Sequence, residues 1–215
     1  MLATQSADKR VVVHQIRKYT KGEKVSVKQS FQTKASFAMS TLVQSFFRRL
    51  AFSPDGNLLV APTGTFKPSP LDKSTFAHVD NLEPSFCTHI FTRDQFATPA
   101  MSPAVSLVGL EEPSVAVKFS PVLYRPIAGD AAELFPGKYR MVFAVATIFS
   151  VFVYDTQHVH PIAKLGGLHF ASINDIAWSA DGNTLVFCSS DGYVSFVSFD
   201  GSLVRTHNHA QIAHA

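Results

Sequence analysis

Cysteine is nearly absent from this chain of 215 residues, which carries only Cys87 and Cys188. Two thiols so far apart make neither a disulfide framework nor a paired-cysteine zinc site, and they suit a reducing compartment. Long apolar runs are also missing. The longest, Met141 to Tyr154, falls short of the roughly 20 residues that cross a bilayer, so no membrane association is expected. The opening segment, MLATQSADKR, has no apolar core of the signal-peptide kind. Charged residues make up 16% of the chain and hydrophobic residues 46%. That balance excludes disorder throughout and provides for one substantial core or two small ones.

Motifs of catalysis are lacking as well. Gly137-Lys138 is followed by Tyr139 instead of Ser or Thr, with no glycine at the upstream spacing of a phosphate loop. There is no Gly-x-Ser-x-Gly elbow, His-Glu-x-x-His helix or Cys-x-x-Cys pair. Among nine histidines, His158 with His160 and His207 with His209 are spaced to set two imidazoles on one side of an extended segment. Neither pair has a carboxylate or thiol at fixed spacing beside it. No metal, cofactor or catalytic residue is therefore expected. The two cysteines read as small buried apolar groups, and the nineteen phenylalanines as packing between sheets.

What is present has the period of strands. Val151 to Tyr154 and Tyr193 to Phe199 are rich in β-branched and aromatic residues. Asp55-Gly56, Asp181-Gly182 and Asp191-Gly192 supply the turn chemistry of tight antiparallel connections. The chain is predicted to be all-β. Stacking its segments reveals a repeat: Phe47-Arg48-Arg49-Leu50-Ala51-Phe52-Ser53-Pro54-Asp55-Gly56 aligns with Ile173-Asn174-Asp175-Ile176-Ala177-Trp178-Ser179-Ala180-Asp181-Gly182. Val115 to Pro121 repeats the strand and the start of the turn. The anchors Phe52, Phe119 and Trp178 lie 67 and 59 residues apart, more than the ~40–45 residues of a WD-repeat blade, so insertions are expected.

The predicted architecture is a WD-repeat β-propeller over residues 1–205 with a flexible tail over 206–215. Residues 1–19 are read as the end of one blade and 20–45 as a basic loop. A second blade takes 46–64 and 86–92, with a Pro-rich insertion at 65–85 and a loop at 93–113. The third blade takes 114–157 and the fourth 169–200. The tail of one blade and three further ones, three to four blades in all, fall short of a closed ring, typically about 4–8 blades and usually seven for this repeat, so the chain is expected to be part of a ring, and a fragment. In a standard repeat a histidine, a turn aspartate, a strand hydroxyl and a tryptophan form a hydrogen-bonded network. The fourth unit keeps His169 and Asp191, with Phe187 and Val197 in the other two places. The first keeps Thr4 and Asp8, with His14 in the tryptophan position.

Charge is regional. Residues 1–49 hold ten basic and two acidic side chains, a net of +8, and the remainder nets −5. The basic stretch, including Lys24 and Lys28, is read as a solvated loop face or as a surface for an acidic partner or nucleic acid. Arg48 and Arg49 begin an inner strand, near the rim of the channel. Two readings stay open for them: bidentate contact with carboxylate or phosphate of a partner, or an internal ion pair with an adjoining blade.

The segments from Phe46 to Gly64, Ala116 to Val122, Tyr139 to Ala146, Val153 to Gln157 and Ser189 to Val197 resemble the WD-repeat family to which the B subunit of chromatin assembly factor 1 belongs. The related HIRA-type histone chaperones share the Arg-Arg-Leu before the turn, while Tyr154-Asp155-Thr156-Gln157 favours the assembly-factor branch. The resemblance implies a nuclear, non-enzymatic scaffold that helps deliver histones H3 and H4 to newly synthesised DNA. It implies three partners: the large subunit of the assembly complex, the histones, and a second histone chaperone bound through a tail after the propeller. DNA is then contacted indirectly. Against the family pattern, this chain lacks the first blades and an acidic tail, and carries apolar Ile148-Phe149 at a hairpin turn.

Overall fold

A computed structural model describes residues 1–6, 8–16, 27–33, 35–38, 47–67, 85–98, 100–127 and 134–199. Strands dominate. β1 (Leu2–Gln5), β2 (Val11–Ile16) and β3 (Val27–Thr33) form the first sheet. β4 (Ala51–Phe52), β5 (Leu58–Phe66) and β6 (Ser85–Thr92) begin the second. After β6 come a 3-10 helix (Arg93–Ala97) and β7 (Ala100–Met101), which leaves the second sheet to pair in parallel with β3. β8 (Val105–Leu110) then returns as the outer strand of the second sheet. β9 (Ser114–Tyr124), β10 (Arg140–Thr147), β11 (Ser150–Asp155) and β12 (Ala163–Gly166) make the third sheet. β13 (Ile173–Trp178), β14 (Thr184–Ser189) and β15 (Val194–Ser198) make the fourth. Apart from β3 with β7, every pairing between these strands is antiparallel.

Side-chain alternation explains how the sheets stack. Successive residues of a strand point to opposite faces, so one strand supplies two cores. In β5, Leu59 and Ala61 pack with Val11, Val13 and Met101 against the first sheet. Leu58 and Val60 pack with Val117, Phe143 and Val145 against the third. In β10 the split recurs, with Val142, Ala144 and Ala146 turned toward Ile173, Ile176, Leu185 and Phe187 of the fourth sheet. All eight residues of β10 are buried, because both of its faces are covered. The result is an all-β stack of four sheets in chain order, an incomplete propeller whose inner strands are β4, β9 and β13.

Several expected boundaries differ from the structure. The third unit does not turn after Ser120-Pro121. It lacks the Asp-Gly of the other two, and β9 continues through Val122, Leu123 and Tyr124, which pack as buried residues. The expected loop at 93–113 contains β7 and β8. The expected basic loop at 20–45 contains β3, and the third sheet extends past residue 157 to β12. β5 runs on to Phe66, through a register shift between Ala61 and Gly64 where Thr63 takes φ 59°. The tail at 206–215 and most of the Pro-rich insertion lie outside the described residues.

Candidate partner-binding site at the start of the inner strands

The repeat holds at the level of single hydrogen bonds. At the first Ser-x-Asp-Gly-Asn turn, the Ser53 hydroxyl donates to Asp55. The Asn57 N–H donates to Asp55 Oδ1 (3.0 Å) and the Leu58 N–H to Ser53 Oγ (2.9 Å). At the second, Ser179 donates to Asp181, the Asn183 N–H to Asp181 Oδ1 (3.1 Å) and the Thr184 N–H to Ser179 Oγ (2.9 Å). Burial works against the charge of Asp55, yet these donors and Tyr139, whose hydroxyl donates to Oδ2 at 2.8 Å, hold its carboxyl below the usual range. Tyr139 itself is pushed up to about 12 by burial and by the Asp55 bond and charge. A cavity of about 450 Å3 opens beside it between the second and third sheets. Arg93 and Lys138 balance Asp55 and Asp94 in its lining, so it selects neither sign of ligand charge.

The opposite end, where inner strands begin, carries the predicted network. His169 Nδ1 lies 3.0 Å from Asp191 Oδ2, and the N–H groups of Phe170 (3.0 Å) and Tyr193 (2.9 Å) donate to the same carboxylate. Burial opposes ionisation here too, but these donors and the imidazole bring the Asp191 carboxyl down to about 2. Phe187 meets the His169 ring edge-on at 5.4 Å in the place of the usual hydroxyl, and His169 Nε2 has no hydrogen-bond partner among the described residues. In the first sheet Thr4 Oγ1 lies 3.4 Å from His14 Nε2, and His14 Nδ1 lies 2.9 Å from Ser30 Oγ. Asp8 accepts from the Arg10 N–H (3.3 Å), and no hydrogen bond joins Thr4 to Asp8 among the described residues.

Arg49 is fixed by its backbone. Its N–H donates to Val115 O (2.9 Å) and its carbonyl accepts from the Val117 N–H (2.8 Å), which ties the start of the second sheet's inner strand to β9. Its guanidinium lies 4.6 Å from the Phe47 ring centroid, and Nε lies 3.6 Å from Asp175 Oδ1. Asp175 belongs to the fourth sheet, not the adjoining third. Arg49 meets the third sheet only through its backbone bridge to Ala116. Arg48 is half-buried and makes no ion pair among the described residues. Lys28 lies in β3, and Lys24 lies outside the described residues.

Sequence reasoning missed two polar anchors. Arg140 and Asp155 form a fully buried ion pair at 2.8 Å, and Asp155 also accepts from the Gln157 (3.0 Å) and His158 (2.8 Å) N–H groups. The signal was Tyr154-Asp155 standing where Trp-Asp ends a repeat. Glu112 was also missed: it accepts from Thr147 Oγ1 (3.1 Å) and the Phe149 N–H (3.0 Å), holding the apolar hairpin turn. Burial pushes the Cys87 thiol up to about 12, which keeps it protonated. Among the described residues no three His, Cys, Asp or Glu side chains gather as a metal site would need. His207 and His209 lie outside them.

Four stacked antiparallel sheets, a duplicated Ser-x-Asp-Gly-Asn turn and a His-Asp turn network are propeller features, and the sequence matches the CAF1B/HIR1 beta-propeller domain over residues 1–203. The chain belongs to the CAF1B/HIR1 β-propeller family. It is 37% identical over 160 residues to the B subunit of chromatin assembly factor 1 from Saccharomyces cerevisiae, covering 73% of this chain and 31% of that protein. It is 40% identical over 156 residues to the chromatin assembly factor 1 subunit FAS2 homolog of Oryza sativa subsp. japonica, covering 73% and 28%. Similarity extends to protein HIR1 of Candida albicans, 30% identical over 156 residues, covering 72% and 15%. The chain thus spans about a third of the length of its assembly-factor relatives. Within the CAF1B/HIR1 family the higher identities are to the assembly-factor branch, as the Tyr154-Asp155-Thr156-Gln157 segment led one to expect.

Proposed function

We propose that this chain is a non-enzymatic WD-repeat scaffold of a replication-coupled chromatin assembly complex, working in the nucleus on histones H3 and H4. Its match to the CAF1B/HIR1 propeller over residues 1–203 carries the reading. Stacked sheets with rigid connecting turns offer surfaces for protein contact and need no bound group to form them. The large subunit of the complex is the first partner. The histones bind this chain directly or through the complex, a second chaperone joins in the longer protein, and DNA is reached indirectly. Arg48 and Arg49 are the contact residues favoured by exposure and position, with Lys24 and Lys28 as further basic contacts.

Co-purification tests it. The tagged chain is expected to retain the large subunit and histones H3 and H4 from nuclear extract. Retention of neither overturns the reading. Direct binding to DNA would instead appear as a steep fall of affinity with salt, since each neutralised phosphate releases counterions.

A further inference from the structure

We propose that Arg49 binds a carboxylate of an acidic peptide segment, and that Asp175 occupies its guanidinium until that segment displaces it. The inference rests on the scaffold reading only in taking the occupant to be protein. Arg49 is a built feature and not a mobile surface cation. Both of its main-chain groups are hydrogen-bonded to β9, at 2.9 and 2.8 Å, so the base of the side chain is fixed at the mouth of the inner strands. The ring of Phe47, itself 51% exposed, supports the guanidinium from one side.

The contact with Asp175 is a loose one. At 3.6 Å it exceeds hydrogen-bond length, and Arg49 Nε, though shielded from water, makes no hydrogen bond among the described residues. A guanidinium carries five donors in a planar fork that matches a carboxylate two bonds at a time. The two side chains are 39% and 40% exposed, the setting in which an ion pair is weak and exchangeable. Asp175 has a second engagement as well, accepting from the Ile176 N–H at 3.0 Å, so it keeps a partner when Arg49 leaves. An incoming carboxylate therefore meets a guanidinium that is only lightly held.

The surroundings favour a peptide over a nucleic acid. Glu112, Asp175 and Asp191 stand at the same end, where Glu111 is paired with Lys164 at 3.7 Å, and the excess of carboxylates opposes a continuous phosphate backbone. Phe149, Phe170 and Tyr193 are exposed there by 42%, 94% and 67%. Their main-chain N–H groups donate to the Glu112 and Asp191 carboxylates, which fixes the backbone from which these rings project. A segment that sets Glu or Asp among Leu or Phe meets both features.

The probe is a fluorescein-labelled synthetic peptide of alternating Glu and Leu, titrated with the full chain and read by fluorescence anisotropy. The peptide with Gln in place of Glu and a duplex DNA of equal charge serve as comparators. Binding is expected for the Glu peptide and not for its Gln analogue. Arg49→Gln is expected to weaken it about tenfold. Asp175→Asn removes the competing carboxylate and is expected to tighten it about three- to fivefold. A purely structural role for the pair predicts no such gain, so the second variant decides even if the first is poorly folded. Unchanged or weaker binding by Asp175→Asn, equal binding of the Gln analogue, or displacement of the peptide by DNA overturns the proposal. Because the probe is synthetic, its failure is distinct from a failure to retain the large subunit.

Discussion

Arg140 and Asp155 show what a single pair of residues does in this fold. Neither side chain has any exposure, and Arg140 Nε and Nη2 have no hydrogen-bond partner among the described residues, so the ion pair at 2.8 Å sits in the region where one missing partner costs most. Arg140→Met is expected to lower stability by about 3–5 kcal/mol in urea unfolding. The double variant with Asp155→Leu should recover part of that loss but not all, because Asp155 also caps the Gln157 and His158 N–H groups. Asp191 makes a different prediction. Its carboxyl is lowered from an ordinary 3.8 to about 2, so its contribution is fully present above about pH 4 and is lost as the pH falls through 2. Asp191→Asn should therefore flatten the dependence of melting temperature on pH between 4 and 2 while lowering it at neutral pH. His169 and Asp191 were legible from sequence because a hairpin of standard length brings them together. The partner of Arg49 was not, since it lies two sheets away and only the packing of the sheets brings it near.

The same local sequence has different consequences in different elements. Gly56 and Gly182 occupy equivalent turns at φ 70° and 68°, a conformation that costs any other residue about 1–2 kcal/mol. A Cβ on Gly56 would meet only the end of the Arg93 side chain at 3.3 Å. One on Gly182 would lie 2.5 Å from the Tyr124 hydroxyl and 2.7 Å from Ser120 Oγ, two buried groups bonded to each other. Gly182→Ala is thus expected to destabilise by at least about 1 kcal/mol more than Gly56→Ala, which differential scanning calorimetry would resolve. Equal melting temperatures for the two variants would mean that the packing around Gly182 yields as readily as a surface side chain. The unit from Val115 to Pro121 shows the limit of reading an element from its repeat. It starts like the others, but Val122, Leu123 and Tyr124 extend the strand where Asp-Gly would have ended it, and pairing with Met141 and Arg140 holds them there.

Among the described residues each sheet buries its faces against its neighbours in chain order, and the Arg49–Asp175 pair alone among the ion pairs reaches from the second sheet to the fourth. The first sheet has an extra tie. β7 crosses from the second sheet to pair with Gln32 and Thr33, while Phe96 in the preceding helix is buried against Phe52 at 6.0 Å. Phe96→Ala is expected to cost about 3–5 kcal/mol locally. Hydrogen exchange should then show lost protection in β1, β2 and β3, with the third and fourth sheets unchanged. Protection lost equally in all four sheets would mean that the stack unfolds as one unit.

Sequence by itself determined the class of this protein, its turns and its family, because alternation and Asp-Gly chemistry act over a few residues and do not wait for the fold. It placed the inner strands and marked Arg48 and Arg49 as out of keeping with the aligned Asn174 and Asp175. Only the tertiary structure decided that Arg49 and Asp175, at matching positions two sheets apart, are partners. It also decided that a connection of the second sheet closes the edge of the first. Both outcomes depend on how far each sheet is offset from its neighbour, a quantity set by the packing of Leu, Val and Phe side chains across three separate interfaces and written in no local stretch of the chain.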